Sequence, residues 1–302
     1  MQIVDLLKAD LVAKIEEINK GWSFEKKLFV QFSNGKKCLL RISPIENFTK
    51  KAIEFDAMSI LSEKGLPIPK PLDIKGVEEE VFSLFEWVEG QDLNEVIPLL
   101  SDKEQYRLGV VSGTILKEIH QLELPKVEES WAIRYDKKIN RNIENYKKST
   151  LRYDSDSFFF DVIDKNRQLI KKRPTKFQHG DYHTGNMILS EDKTLKVIDF
   201  NRFDYGDPWE EFNRIDFTVE MSPLFATGQL HGYFEGEPTS EFFKLLQLYI
   251  SVNALNALPW AEQYSVKDVE TMKEKANHML EWYTDRTTDI PSWYKEVGFE
   301  GH

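Results

Sequence analysis

The sequence predicts an α+β fold in two lobes: a β-rich N-terminal lobe with one helix over residues 1–89, and a larger, mainly helical C-terminal lobe over residues 90–302. Three observations carry this. A chain of 302 residues with 41% hydrophobic and 30% charged residues is long enough for two cores and is neither disordered nor collagen-like. An Asn-Gly pair between two apolar runs and a third apolar run at Val81–Val88 put strands in the first ninety residues. From Ser101 onward, apolar residues recur at helical intervals.

Taken in order, Ile3 to Ile18 is an apolar-periodic stretch whose helix and strand parts the period does not separate. Leu28–Phe32 and Lys37–Ile42 flank Ser33-Asn34-Gly35-Lys36, and Asn-Gly supplies the positive φ angles of a two-residue type I′ turn, so a β-hairpin is predicted. Phe48, Ile53, Phe55, Met58, Ile60 and Leu61 have roughly helical spacing up to Gly65, beyond which Pro67, Pro69 and Pro71 forbid continuation. Val81–Val88 is the third strand, and the polar turn Glu89-Gly90-Gln91-Asp92 marks the lobe boundary. Ser101 and Glu104 form a capping box ahead of a helix to His120, in which Gly109 and Gly113 admit close packing by another element. Residues 122–175 read as helical with uncertain boundaries, and Phe242–Leu255 and Val269–Tyr283 as helices before a tail whose Trp282 and Trp293 are core aromatics.

Composition narrows the function. The longest apolar runs, such as Cys38–Leu40 and Phe158–Phe160, are far short of a membrane span, and Asp5 and Asp10 stand where a signal peptide needs basic and apolar residues. A soluble, cytoplasmic protein without membrane partners is expected. Cys38, as the only cysteine, excludes an internal disulfide and fits a small core residue in a reducing compartment. Residues 1–202 hold 33 basic and 33 acidic residues, whereas residues 203–302 hold 7 and 18, so the last third carries the whole net charge of −11. That region would repel nucleic acid and attract a cationic small molecule; a merely solubilising acidic surface is the competing reading.

The densest cluster of chemical residues runs from Phe177 to Asn186 and continues through two short apolar strands, joined by a turn at Glu191-Asp192-Lys193, to Asp199. A carboxylate at a loop end, such as Asp181, can orient a hydroxyl and accept its proton. Asn186 and Asp199 offer neutral and anionic oxygens, the hard ligands suited to Mg²⁺ bridging phosphates. Together they make a phosphoryl-transfer site. Two rival readings stand beside this one: an Asp in a Gly-containing loop as a turn former, and His179 with His183 as transition-metal ligands, although the helical His-Glu-x-x-His context is missing. On the phosphotransfer reading His179 hydrogen-bonds the loop backbone and His183 lies near the phosphates.

His179-Gly180-Asp181-Tyr182-His183-x-x-Asn186, Ile198-Asp199-Phe200 and Gly206-Asp207-Pro208-Trp209-Glu210-Glu211 together resemble the aminoglycoside phosphotransferase family, which has a bilobal protein-kinase-like fold. The resemblance covers nearly the whole chain. It implies a kinase that uses ATP or GTP with Mg²⁺ to phosphorylate a hydroxyl of a small molecule, with the first lobe binding nucleotide and the second carrying catalysis and substrate. It further implies Asp181 as catalytic base, Asn186 and Asp199 as metal ligands, and Arg41, in the run Lys37–Ile42 that stands for the family's third strand, as the phosphate-binding base partnered by Glu54. Arg41 departs from the Lys common at that position, exchanging a point charge for a planar fork. The single-glycine loop at Gly21-Trp22-Ser23 is neither a Walker nor a three-glycine loop, but its N–H groups and Ser23 can cover phosphates. Glu86 and Val88 offer hinge backbone to the base, after Phe85.

For the acceptor, Asp216, Glu220, Glu235, Glu237 and Glu262 are candidate ammonium partners, and an aminoglycoside is the leading expectation. Alternatives are a kinase of amino sugars, amino alcohols or macrolides, and a nucleotide-binding regulator without catalysis.

Overall fold

The computed structural model describes residues 11–19, 25–123 and 129–295; Gly21, Trp22 and Ser23 lie outside them. In chain order the elements are β1 (Val12–Glu17), β2 (Lys26–Phe32), β3 (Lys37–Pro44), α1 (Phe48–Glu63), β4 (Pro71–Val77), β5 (Glu80–Glu86) and β6 (Gln91–Asp92). There follow α2 (Asp102–Ile119), α3 (Trp131–Lys148), α4 (Ser157–Asn166), β7 (Lys176–Gln178), β8 (Met187–Leu189), β9 (Leu195–Val197) and β10 (Asp204–Gly206). The chain ends in α5 (Ile215–Met221), α6 (Pro223–Phe234), α7 (Ser240–Ala261) and α8 (Val266–Trp282). Among the described residues, no helix is long and apolar enough to cross a membrane. The α+β reading is correct: an antiparallel sheet dominates the N-terminal region and helices the C-terminal one.

The chain divides into two compact units, Met1–Asp92 with Met187–Asn201, and Leu93–Asn186 with Arg202–His302. In the first, five antiparallel strands run in the order β1-β2-β3-β5-β4. Alternation in β2 and β3 buries Leu28, Val30, Leu40 and Ile42 against Phe82 of β5, each such side chain contributing about 1.5–3 kcal/mol. Helix α1 packs on β4 and β5 and buries Ala57, Met58 and Leu61. Cys38 is a fully buried member of β3. The same unit holds the small sheet β6-β8-β9.

The β2–β3 hairpin forms, but not through the expected turn. Gly35 N–H donates to Phe32 O (2.9 Å) and Phe32 N–H to Lys36 O (2.8 Å), which makes Ser33-Asn34-Gly35 a three-residue loop. Only Gly35, at φ 85°, has a positive φ. Asn34 stays in the ordinary region because a type I turn followed by one left-handed residue also closes a hairpin. Strand β4 is an addition to the predicted elements: it lies at the sheet edge and begins at Pro71, where a missing N–H is tolerated.

In the second unit the capping box at Ser101 and Glu104 starts α2. Gly109 and Gly113 face Gly228 and Gly232 of α6 at backbone contact: a Cβ on Gly113 would lie 2.0 Å from Gln229 O, and one on Gly232 2.0 Å from Val110 O. Helix α7 is buried on all sides and packs against α3, α4 and α8, which suits its apolar composition. Trp293 is buried as expected of the tail.

Candidate active site

The second unit carries Asp181 and Asn186 on the loop after β7. Gly180, at φ 83°, passes so close to Arg202 that a Cβ would sit 1.9 Å from Arg202 O, so glycine is required twice over. Its N–H donates to Glu211 Oε1 (2.9 Å). Glu211 belongs to the Gly206–Glu211 run, which is itself braced by Arg173 gripping Asp207 through two hydrogen bonds (2.8 and 2.9 Å) and by Gln178 donating to Asp207 O (2.8 Å). Tyr182 is buried and donates to Ser112 O (2.7 Å). These contacts fix the backbone on both sides of Asp181.

Asp181 is then held from within the loop. His179 Nδ1 accepts the Asp181 N–H (3.2 Å), the backbone role expected of that histidine. Asn186 donates through Nδ2 to Asp181 O (2.9 Å), leaving Asn186 Oδ1 as an acceptor. The His183 Nδ1 accepts from Gly185 N–H (3.1 Å), so Nε2 carries the ring N–H and faces Asp181 Oδ1 at 3.6 Å. Arg214 Nε lies 3.1 Å from the same oxygen and Arg202 3.7 Å from the other. Burial alone would raise the Asp181 pKa, but the His183 contact and the charges of Arg214 and Arg202 outweigh it and hold the carboxyl well below the usual range. It is ionised and a weak base.

The first unit assembles a different centre. Asp199, two residues after β9, adopts φ 69°, a left-handed conformation that Asp tolerates better than most residues. Its Oδ1 accepts from Arg41 Nη1 (2.9 Å), and Lys27 Nζ lies 3.5 Å from Oδ2. Lys27 and Arg41 are cross-strand neighbours. Arg41 is 3.7 Å from Glu54 Oε1, yet the nearest partner of Glu54 is Lys51, at 2.7 Å on the same helix face. Glu25 bridges the two bases, with Oε2 at 2.7 Å from Arg41 Nε and Oε1 against Lys51 Nζ. Burial raises the Glu25 pKa, but Arg41 and Lys51 reverse that and lower it. Arg41, Lys51 and Glu54 are all buried.

The structure therefore brings Asp181 and Asn186 together in one unit, and Arg41, Glu54 and Asp199 together in the other. Glu25, Lys27 and Lys51 are members of the second group that the sequence did not reveal; the only signal was the three-residue spacing of Lys51 and Glu54. The Glu86 N–H is engaged by Lys70 O (2.8 Å), and Val88 is half-buried just after β5. The five acids proposed for ammonium recognition all have partners in the chain. Lys275 Nζ contacts Asp216 (2.9 Å) and Glu220 (3.5 Å) and lies 3.5 Å above the Phe217 ring. Glu235 pairs with Lys117 (2.7 Å), Glu237 with Tyr294 and His231, and Glu262 with Ser149 (2.7 Å) and Thr150 (3.0 Å).

Residues 14–243 match the profile of the phosphotransferase enzyme family known as APH. No curated protein sequence matches significantly. Among solved structures, the chain is similar to an amicoumacin kinase in complex with AMP-PNP, Ca²⁺ and Ami, at 15% identity and TM-score 0.65, covering 97% of this chain and 95% of that one. It is also similar to the GDP and kanamycin complex of an APH(2″) enzyme, at 14% identity and TM-score 0.71, covering 91% and 97%. A third similar fold is a candidate fructosamine-3-kinase from Haemophilus somnus 129PT, at 15% identity and TM-score 0.62, covering 91% and 96%. With a family match over most of its length and a shared fold throughout, the chain belongs to the APH phosphotransferase family, enzymes that transfer a phosphoryl group to a hydroxyl.

Proposed function

We propose that the protein is a small-molecule kinase that transfers the γ-phosphate of ATP or GTP to a hydroxyl of a cationic acceptor. The observation that carries this is Asp181, a carboxylate kept ionised by Arg214, Arg202 and His183 on a loop whose own Asn186 is tied to it. Asp181 would accept a hydrogen bond from the acceptor hydroxyl, align its oxygen with the γ-phosphorus, and take the proton as the new P–O bond forms and the bond to the β–γ bridging oxygen breaks, releasing the nucleoside diphosphate. The site residues also fit Mg²⁺ by donor chemistry, since Asn186 keeps an amide oxygen free of its own N–H bond and Asp199 is anionic. When bound, the ion would neutralise charge on the nucleotide phosphates. Arg41 and Glu54 serve the phosphates, and Glu86 and Val88 the base.

An aminoglycoside is the first acceptor to test. Supporting it are the acidic balance of the last hundred residues and the Lys275 ammonium, which shows what Asp216, Glu220 and the Phe217 ring accommodate. A substrate ammonium taking those contacts would exchange with Lys275. Purified protein should be assayed for nucleotide-dependent phosphorylation of aminoglycosides, amino sugars and amino alcohols, with Asp181→Asn as control. Turnover with none of these, under conditions where nucleotide binds, would favour the regulator reading.

A further inference from the structure

Arg41, Lys51 and Lys27 meet Glu25, Glu54 and Asp199 in the first unit, three bases against three acids. Within this set Glu25 has an unusual posture. One carboxylate oxygen sits on Arg41, at 2.7 Å from Nε and 2.6 Å from Nη2, while the other sits on Lys51. An oxyanion bridging two cations from different elements, one on β3 and one on α1, has the geometry by which a phosphate group would join them. Glu54 supports both bases, at 2.7 Å from Lys51 and 3.7 Å from Arg41. Without Glu25 the buried bases would be left one negative charge short, a state that favours capture of another anion. Nothing in the sheet prevents this exchange, because the β2–β3 ladder starts at Lys26 and Glu25 precedes it.

We propose, resting on the phosphotransfer reading above, that Arg41 and Lys51 together form the polyphosphate-binding pair, and that Glu25 is an internal carboxylate that occupies the pair until a nucleotide's phosphates displace it. Lys51 thereby becomes a phosphate ligand, and Glu25 a competitor that weakens nucleotide binding and stabilises the ligand-free protein.

The test is titration calorimetry with the full chain, using sodium tripolyphosphate, ATP and GTP as probes, on wild type, Glu25→Gln, and the double variant Glu25→Gln with Lys51→Met. The double variant keeps acids and bases equal, which guards against misfolding from a stranded charge. Glu25→Gln should bind tripolyphosphate and nucleotide about 3- to 10-fold tighter than wild type, melt lower without ligand, and recover its melting temperature when tripolyphosphate is added. The double variant should lose that gain in affinity. Equal or weaker binding by Glu25→Gln overturns the competitor role, and a double variant that keeps the full gain overturns Lys51 as a ligand. If tripolyphosphate follows the expected order but ATP and GTP bind no tighter than tripolyphosphate, the inference stands and the nucleotide reading of the site fails instead.

Discussion

Around Arg41, acids and bases are matched one for one, with Arg41, Lys51 and Glu54 buried, whereas around Asp181 a single carboxylate faces two guanidinium groups and an imidazole, with Arg202 and Arg214 41% and 30% exposed. The first arrangement is self-sufficient: each buried charge has its counterion, and taking one away strands another. The second leaves positive charge uncompensated, which keeps Asp181 ionised and leaves that surface receptive to more negative charge. Ionic groups thus stand in two kinds of balance in one chain, neutral in one place and cationic in the other.

Removing the carboxylate at the cation-rich centre should give the largest effect. Asp181→Asn is expected to lower turnover by about 10²- to 10⁴-fold while leaving nucleotide affinity close to wild type. Steady-state kinetics beside calorimetry checks this, and turnover within about tenfold of wild type would remove Asp181 from the chemical role. At the balanced centre the damage should be to stability. Glu54→Ala leaves Lys51 and Arg41 short of a buried partner and should cost about 3–5 kcal/mol in urea unfolding. Combined with Lys51→Met it should cost less than the two single losses added; simple additivity would show that the cluster is not coupled.

A smaller effect is expected in the pH dependence. Arg214→Ala removes a charge that holds the Asp181 carboxyl down, so its pKa rises and the acid limb of the kcat/KM profile should move to higher pH. An unmoved limb would mean that the limb belongs to another group. The stability profile tests both centres together. Glu25 and Asp181 sit below their ordinary values of 4.5 and 3.8. The stability they confer is therefore complete above those values and lost as pH falls through them toward the folded-state pKa values. Urea melts between about pH 6 and pH 3 should show this loss for wild type and a shallower loss for Asp181→Asn. The last expectation concerns affinity: Lys275→Ala frees Asp216 and Glu220 and should tighten binding of an ammonium-bearing acceptor. A loss of that affinity would show that Lys275 itself contacts the substrate.

Much of the N-terminal sheet, α1 and α2 could be read from period and turn chemistry, since those signals are local. The loop holding Asp181 was legible for a different reason: Gly180 and Asp181, followed by Asn186, combine backbone freedom with hard oxygen donors in a short span. The Arg41 cluster was legible only in part, and the hairpin explains why. A two-residue loop at Asn34-Gly35 would set Lys27 opposite Ile42, whereas the three-residue loop sets Lys27 opposite Arg41, and one residue of register decides which side chains share a face. Glu25 joins the cluster through tertiary contacts that leave no trace in spacing. The acids of the last third show the converse limit. A charge count could not tell that Lys275 already lies against Asp216 and Glu220, or that Lys117 lies against Glu235.

Cys38 lies in the middle strand of the five-stranded sheet, three residues before Arg41, with no exposed surface, and burial pushes its thiol pKa up. A disulfide reagent in solution therefore reaches it only when the sheet opens, and as the sole thiol it reports on that event without interference. Its modification rate is a native clock for the breathing of the strand that carries Arg41. Any anion that settles on Arg41 and Lys51 should slow that clock in proportion to the stability it adds, so binding can be measured before an acceptor has been identified.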